Sequence, residues 1–393
     1  MDPQSYQQAL ATVRSGLAEV EETGDAAILF DQETIRAAAD LLDYARTHPD
    51  DAIAALTAAG RLYWKRHLTN LQHRDGADLT AAICLFTKVY RADRFTVPEA
   101  LWGRIAEIED VFVELSPAVL SPAELVAEAT AIMAVGADQG EVAVLLLRTM
   151  LVTLPTDHPD RPELLSELAI ALDLRRQAMG DADDFRLAVE AAEQGLALMA
   201  PTHPGRAVLL SRLGLILWER YAALDNPDDL DRSITLNRAA VTAAGRSDPP
   251  LAGCLHNLSI ALWSRWQTTG DTTYLDEAID AGRRSATPAA GPAMSPLHAA
   301  QLMVLLTARG TAADLDEAAA AGHVALTSAD NPYQVEIWAA FGAIEEHRGN
   351  RDSAIAWYRK VLDDGPDDYR RRNAIQQSLE QLTAALEHPS GRS

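Results

Sequence analysis

Three consecutive segments of this 393-residue chain align without gaps at a spacing of 45 residues. They begin at His158, His203 and Asp248. In each segment leucines recur at offsets of three and four residues, which places them along one apolar face of a helix. These leucines are Leu165, Leu168 and Leu172, then Leu210, Leu213 and Leu217, then Leu255, Leu258 and Leu262. The repeat therefore predicts a long amphipathic helix at a fixed place in each segment.

A turn rich in Gly, Asn or Asp ends each of these helices, and a second amphipathic stretch follows it. The turns contain Gly180, Asp225 and Gly270. Each helix also has a small residue at a fixed position, which lets two helices approach closely. In the first helices these are Ala169, Gly214 and Ser259; in the second helices they are Ala188, Ser233 and Ala278. The repeating unit is thus a helical hairpin, and such units stack into an array.

Segment 335–366 has a different length and a recognisable pattern. Counted from its first residue, six residues fall at the positions typical of a 34-residue tetratricopeptide repeat (TPR): Trp338, Phe341, Gly342, Ala354, Tyr358 and Pro366. Glu345 and Val361 depart from that pattern. The segment resembles a standard TPR. This resemblance implies an all-α fold, an α-solenoid of TPR-like hairpins in a right-handed superhelix, whose first helices line a concave groove.

The 45-residue repeats resemble a narrower group. An acid-Leu-Asp sequence opens the second helix at 229–231 and 314–316, with a Tyr-Leu-Asp variant at 274–276. Together with the His-Pro starts, this is similar to the actinobacterial TPR arrays found beside caspase-like CHAT protease domains. The resemblance covers 156–330 well and 53–92 more weakly. A CHAT protease needs a His-Gly pair, and none occurs in this sequence, so the protease domain is absent.

We predict one continuous TPR-like array over 1–388, with about eight hairpins. Its parts are N-terminal helices at 1–52, a repeat at 53–92, divergent repeats at 93–155, long TPR-like repeats at 156–330, a standard TPR at 331–366 and a capping helix at 367–388. Residues 31–47 are expected to form the second helix of an early hairpin. Residues 389–393 are predicted to be a disordered tail.

The formal charge is −23, from 34 basic and 57 acidic residues. A field of this sign repels phosphate groups, so we predict no binding to nucleic acid or to an anionic membrane. Residues 1–50 carry 10 acids against 3 bases, which argues against a transcription regulator with an N-terminal DNA-reading domain. The apolar tract at 142–154 is too short to span a bilayer and predicts a buried helix.

Short motifs for catalysis or cofactor binding are absent: there is no GxSxG, HExxH, P-loop or GxGxxG sequence. Cys84 and Cys254 lie far apart in helical contexts typical of small buried residues. With no secretory leader visible, they predict a protein of the reducing cytoplasm. Acidic runs at 181–184 and 367–368 fall at helix starts, where carboxylates complement free N–H groups. We predict no cofactor and no metal site.

Tryptophan and arginine recur at fixed places in the first helices. The recurring residues are Trp64, Trp218 and Trp263, with Arg66, Arg175, Arg220 and Arg265 two residues beyond the tryptophan position. In one interpretation they form a ladder along the concave groove that binds an extended peptide. In the other, the tryptophans pack between repeats and each arginine pairs with the acidic turn of its own hairpin.

The sequence as a whole predicts a protein- or peptide-binding scaffold, adaptor or regulatory subunit that uses the groove of a TPR superhelix. The alternative is an enzyme whose active site leaves no motif, in the groove or in the divergent segment 93–155. The partner's identity and the oligomeric state do not follow from the sequence.

Overall fold

The computed structural model describes residues 1–69, 76–107, 114–136, 139–180, 183–245, 250–286, 295–328, 333–367, 369 and 371–387. It is 83% helical, and no strand occurs in these residues. The chain forms two compact units, Met1–Gly205 and Arg206–Ser393. Within the described ranges, no helix is both long enough and apolar enough to cross a membrane. The fold is therefore an all-α helical-repeat fold, as predicted.

The described residues of the first unit form the helical hairpins α1–α2, α3–α4, α6–α7 and α8–α9, together with a short helix α5. The first helices of neighbouring hairpins also contact one another, α1 with α3 and α6 with α8. The bounds are α1 Pro3–Thr23, α2 Gln32–Thr47, α3 Ile53–Thr69, α4 Ala77–Ala92, α5 Trp102–Glu107, α6 Pro122–Val135, α7 Gly140–Val152, α8 Arg161–Met179 and α9 Asp183–Leu198. Short 3-10 helices lie at Ala26–Phe30, Arg94–Thr96 and Glu99–Leu101.

The described residues of the second unit form the hairpins α10–α11, α12–α13, α14–α15 and α16–α17, followed by α18, which packs on α17. Here too the first helices pack in series, α10 on α12, α12 on α14 and α14 on α16. The bounds are α10 Arg206–Leu224, α11 Pro227–Ala243, α12 Leu251–Thr269, α13 Thr272–Ala286, α14 Pro296–Arg309, α15 Ala312–Ala325, α16 Gln334–His347, α17 Arg351–Asp364 and α18 Arg372–Glu387.

The 45-residue period sets the positions of the long first helices. Helices α8, α10 and α12 begin at Arg161, Arg206 and Leu251, and each is 19 residues long. All nine leucines of the repeat are at most 7% exposed. Each helix ends at a left-handed residue, namely Gly180, Asp225 and Gly270, with φ angles of 74°, 53° and 71°. The predicted period, apolar face and turns are confirmed.

The small residues lie at helix contacts, as the sequence predicts. Ser233 of α11 donates a 2.7 Å hydrogen bond to the carbonyl of Gly214 in α10. A Cβ on Gly214 would lie 2.5 Å from Nδ2 of the buried Asn237. In the standard repeat, a Cβ on Gly342 would lie 2.4 Å from the Tyr358 ring. These glycines are therefore required for close approach and not for an unusual backbone angle.

In the described residues, a helix lies at Gln32–Thr47 and another, Arg372–Glu387, follows the last hairpin. The apolar tract at 142–154 is a buried helix, α7, as expected. The described residues of segment 93–155 form two 3-10 helices, α5 and the α6–α7 hairpin. The predicted tail at 389–393 lies outside the described residues. A single continuous array over 1–388 remains a prediction.

Candidate functional site

An open groove of about 570 Å³ runs across the first helices of the second unit, and we call it the C-terminal groove. Its lining includes Trp263 and Trp266 of α12, Ala308 of α14, and Ala343 and His347 of α16. Residues three, four and seven apart lie on one face of a helix, so each helix offers a single face to the groove. First helices line a groove here, as the TPR resemblance implies.

Two large rings stand beside small residues in the C-terminal groove. The ring centroids of Trp263 and Trp266 are 4.8 Å apart, and their planes are inclined by 34°. Neither indole N–H has a hydrogen-bond partner among the described residues. Thr307, Ala308 and Ala343 supply short side chains opposite the rings. The arrangement offers aromatic faces for apolar side chains and two donors for carbonyl oxygens.

Charged residues also line the C-terminal groove. Glu336 lies at the start of α16, and Arg371 precedes α18. The His347 Nδ1–H donates a 2.8 Å hydrogen bond to the Ala343 carbonyl. Groups of both signs therefore line the groove together with its aromatic and small side chains.

A second groove, of about 420 Å³, lies between α1 and α3 in the first unit, and we call it the N-terminal groove. Trp64 lies in its wall, half-buried, with its ring centroid 5.6 Å from that of His67. The cationic side chains of Arg14, Arg61 and Lys65 also line it. Glu21 is the acid among its lining residues. Its charge is thus opposite in sign to that of the whole chain.

The structure separates the recurring tryptophans. Trp64 lies in the N-terminal groove and Trp263 in the C-terminal groove. Trp218 instead donates its indole N–H to the Ser264 hydroxyl at 2.8 Å, which ties α10 to α12. All three rings are half-buried.

The four recurring arginines are all held in ion pairs. Arg175 and Arg220 each bind one aspartate through two guanidinium nitrogens, at 2.9 and 2.5 Å to Asp184 and at 2.8 and 2.5 Å to Asp229. Asp184 and Asp229 are buried, and Arg220 lowers the pKa of Asp229 by hydrogen bonding. These paired forks fasten the second helix of a hairpin to its first helix.

The remaining two arginines differ from each other in partner. Arg66 is 7% exposed; it pairs with Asp78 at 3.0 Å and lies 4.8 Å from the Phe30 ring centroid. Arg265 pairs with Asp231, which belongs to the preceding hairpin. Three of the four arginines therefore bind an acid of their own hairpin, and the fourth links two hairpins.

The two acids of the acid-Leu-Asp sequence bind different arginines. The first acid binds the arginine of its own hairpin, as Asp229 binds Arg220 and Asp314 binds Arg309. The second acid binds the first helix of the next hairpin. Those second pairs are Asp231 with Arg265, Asp276 with Arg309, and Asp316 with Arg348. In the variant at 274–276, Tyr274 replaces the first acid, and the second acid is retained as Asp276. The sequence thus encodes both closure of a hairpin and its attachment to the next.

Acidic residues near helix starts also bind arginines. Asp184, in the run at 181–184 that is predicted to complement free helix N–H groups, lies in the first turn of α9 and accepts from the Arg175 guanidinium. Arg309 lowers the pKa of Asp314 to about 2. Thr311, rather than an acid, caps α15 by accepting from the Asp314 N–H. Asp368 and residues 181–182 lie outside the described residues.

Side chains that could do chemistry are buried or scattered. Cys84 and Cys254 are free and at most 3% exposed, and burial raises the pKa of Cys84 to about 12. A thiol in that state is a poor nucleophile. In the part of the chain that the structure describes, no three His, Cys, Asp or Glu residues converge as metal ligands.

The paired helices and their grooves define an all-α helical-repeat protein. No protein-family model matches this sequence, and no curated protein matches it.

Among solved structures, the chain is similar to PilF of Pseudomonas aeruginosa, at 15% identity over 64% of this chain and 96% of that chain, with a TM-score of 0.45. A putative kinesin light chain from Podospora anserina with nearly identical TPR-like repeats is 19% identical over 66% of this chain and 99% of that one, with a TM-score of 0.32. The TPR domain of P58(IPK) is 12% identical over 98% and 100%, with a TM-score of 0.30. At these TM-scores the likenesses carry no argument about this chain.

The sequence did not single out several residues of the grooves. Arg14, Arg61 and Trp266 do not recur from repeat to repeat, so a search for recurring positions passes over them. The available signal was their spacing: Arg61, Trp64, Lys65 and Leu68 are three, four and seven residues apart and share a helix face.

Proposed function

We propose that this chain is a protein- or peptide-binding scaffold, adaptor or regulatory subunit of TPR type. Its partner binds in grooves along the first helices. The observation that carries the proposal is the C-terminal groove, where Trp263 and Trp266 face short side chains across about 570 Å³. Rigid concave sites of this size, with aromatic walls and a few polar groups, suit an extended peptide and incur little ordering cost.

Within the ladder of recurring residues, we propose that the tryptophans and arginines have separate tasks. Trp64 and Trp263, on groove walls, would contact the partner. Arg66, Arg175, Arg220 and Arg265 would fix hairpin geometry through their aspartates, because a guanidinium already engaged by a carboxylate is a weak receptor for another. Trp218, bonded to Ser264, would act between helices.

The particular setting is also a proposal. The resemblance of 156–330 to arrays beside CHAT proteases supports an adaptor that works near such an enzyme. The free, buried state of Cys84 and Cys254 is consistent with a reducing cytoplasm.

A matched pair of variants tests groove binding. Peptides are selected from a random display library against the full chain. Their affinities are then measured for the parent protein and for Ala308→Glu with Ala343→Glu, which places two carboxylates in the C-terminal groove. The control is Ala239→Glu with Ala356→Glu, on exposed faces of α11 and α17. Both double variants change the net charge by the same amount.

We expect the groove variant to lose affinity for a class of selected peptides by about tenfold or more, or 1.4 kcal/mol. The control should keep that affinity, and both should melt with the parent. Equal affinity for every selected peptide in the two variants would refute binding in this groove.

A further inference from the structure

The N-terminal groove carries a local positive charge in an acidic chain. Three of its lining side chains, Arg14, Arg61 and Lys65, are cationic, against the single carboxylate of Glu21. Over the whole sequence the balance is 34 bases to 57 acids. A cluster of bases in one concavity therefore runs against the composition of the chain and calls for a local reason.

Within the described ranges, these three cations have no carboxylate partner of the kind that holds other arginines of this protein. Arg66, on the same helix, and Arg175, Arg220 and Arg265 are all held by aspartates. No ion pair or side-chain hydrogen bond joins Arg14, Arg61 or Lys65 to another described residue. Arg61 and Lys65 are also four residues apart on α3, where like charges mildly destabilise a helix. No ion pair or side-chain hydrogen bond among the described residues therefore explains the position of these three cations.

Apolar surface adjoins the cations. Trp64 lies between Arg61 and Lys65 on the groove face of α3, and Leu68, 44% exposed, continues that face. Leu17 of α1 lies across from them. A ring flanked by two cations binds a ligand that has acidic groups on both sides of a large apolar side chain.

We propose that the N-terminal groove binds an acidic peptide segment with an aromatic or long aliphatic side chain, the carboxylates pairing with Arg14, Arg61 and Lys65 and the apolar group resting on Trp64 and Leu68. This rests on the proposed peptide-binding function and names the partner chemistry of one groove. At about 0.15 M salt the Debye length is about 8 Å, so the distant acids of the chain are screened while the groove cations act at contact.

A nucleic acid is the less suitable occupant. Phosphate tracking needs a basic stripe of some length, whereas Glu21 interrupts this groove and the chain carries −23 overall. The same assay includes a single-stranded oligonucleotide as competitor, and it should not displace a bound peptide.

The test uses random phage-displayed peptides selected against the full chain, then sorted by two variants. One is Arg61→Glu with Lys65→Glu in the groove. The other is Arg104→Glu with Arg359→Glu, two exposed arginines outside it, which changes net charge equally. Circular dichroism checks that both remain helical. Peptides lost only with the groove variant should be rich in Asp and Glu and carry a Trp, Phe or Leu.

Direct affinities then isolate the charge. For such a peptide we expect replacement of its Glu by Gln to weaken binding about tenfold or more, and Arg61→Gln with Lys65→Gln to do the same without reversing any charge. Leu68→Gln should weaken binding of the apolar group alone.

The proposal fails if peptides lost only with the groove variant show no excess of Asp and Glu, or if replacing their Glu by Gln leaves binding unchanged. It also fails if no peptide distinguishes the two double variants, or if the oligonucleotide displaces the peptide. Selected peptides that respond only to Ala308→Glu with Ala343→Glu would leave the proposed function standing and overturn this inference. A selection that yields no binding peptide would overturn both.

Discussion

Gly214 should not tolerate even a methyl group, although alanine is the better helix former. The added Cβ would lie 2.5 Å from Nδ2 and 2.8 Å from Cγ of Asn237. Asn237 is 1% exposed and has little room to move, since its Nδ2 donates to the Ser233 carbonyl at 3.0 Å and its Oδ1 accepts from the Ser211 hydroxyl at 3.3 Å. Relieving the clash would therefore disturb a buried hydrogen-bond network.

Opposing effects set the expected magnitude for Gly214→Ala. Helix propensity favours alanine by about 1 kcal/mol. Overpacking costs about 1–3 kcal/mol, and displacing a buried amide from its partners costs about 1–3 kcal/mol. We expect a net destabilisation of about 1–5 kcal/mol, and a larger one for Gly214→Leu.

Urea denaturation followed by circular dichroism measures this, with Gly253→Ala as the matched control. Gly253 also lies in a long first helix, but nothing lies within 4 Å of a Cβ built there. That change should be neutral or stabilising by up to about 1 kcal/mol. In an Asn237→Ala background, which vacates the space, Gly214→Ala should cost at least about 1 kcal/mol less. If Gly214→Ala stabilises the protein as Gly253→Ala does, Gly214 does not pack closely against Asn237.

Two further predictions concern buried charge. Arg220→Met leaves the Asp229 carboxylate without its guanidinium and should lower the free energy of urea unfolding by about 2–4 kcal/mol. This is somewhat less than for a fully enclosed pair, because Arg220 is 21% exposed. Arg220→Met with Asp229→Leu should recover most of the lost stability, and no recovery would refute the pairing. Burial and the stacked His298 lower the pKa of His256 to about 4. As pH falls, the unfolded chain therefore takes up a proton before the folded chain does. The free energy of unfolding should drop by about 2 kcal/mol from about pH 7 to about pH 5. His256→Gln should remove most of this pH dependence, and an unchanged dependence would contradict the lowered pKa.

The sequence predicted the hairpins well because their causes are local and periodic. Leu210, Leu213 and Leu217 lie on one face through helix geometry alone, and the left-handed turn at Asp225 follows from the residue types that tolerate it. The 45-residue repeat fixes the positions of the long first helices without any tertiary contact.

One interpretation of the sequence paired each arginine with an acid of its own hairpin, but the sequence could not predict which acid. Arg220 is nine residues before Asp229, whereas Arg66 is twelve before Asp78 and Arg265 is 34 beyond Asp231. Sequence separation does not decide among several nearby acids; the angle between packed helices does. A groove likewise arises from the joint placement of unrelated helices, so its lining is invisible to a search for recurrence.

Photo-crosslinking tests the central claim that partners bind along the first helices. Benzoylphenylalanine is placed either at Gln267, an exposed residue in the C-terminal groove, or at Ala356, on an exposed face of α17. Each protein is irradiated with a selected peptide that loses affinity in Ala308→Glu with Ala343→Glu. The account predicts a crosslink from position 267 and none from position 356. A crosslink from position 356 alone would contradict it.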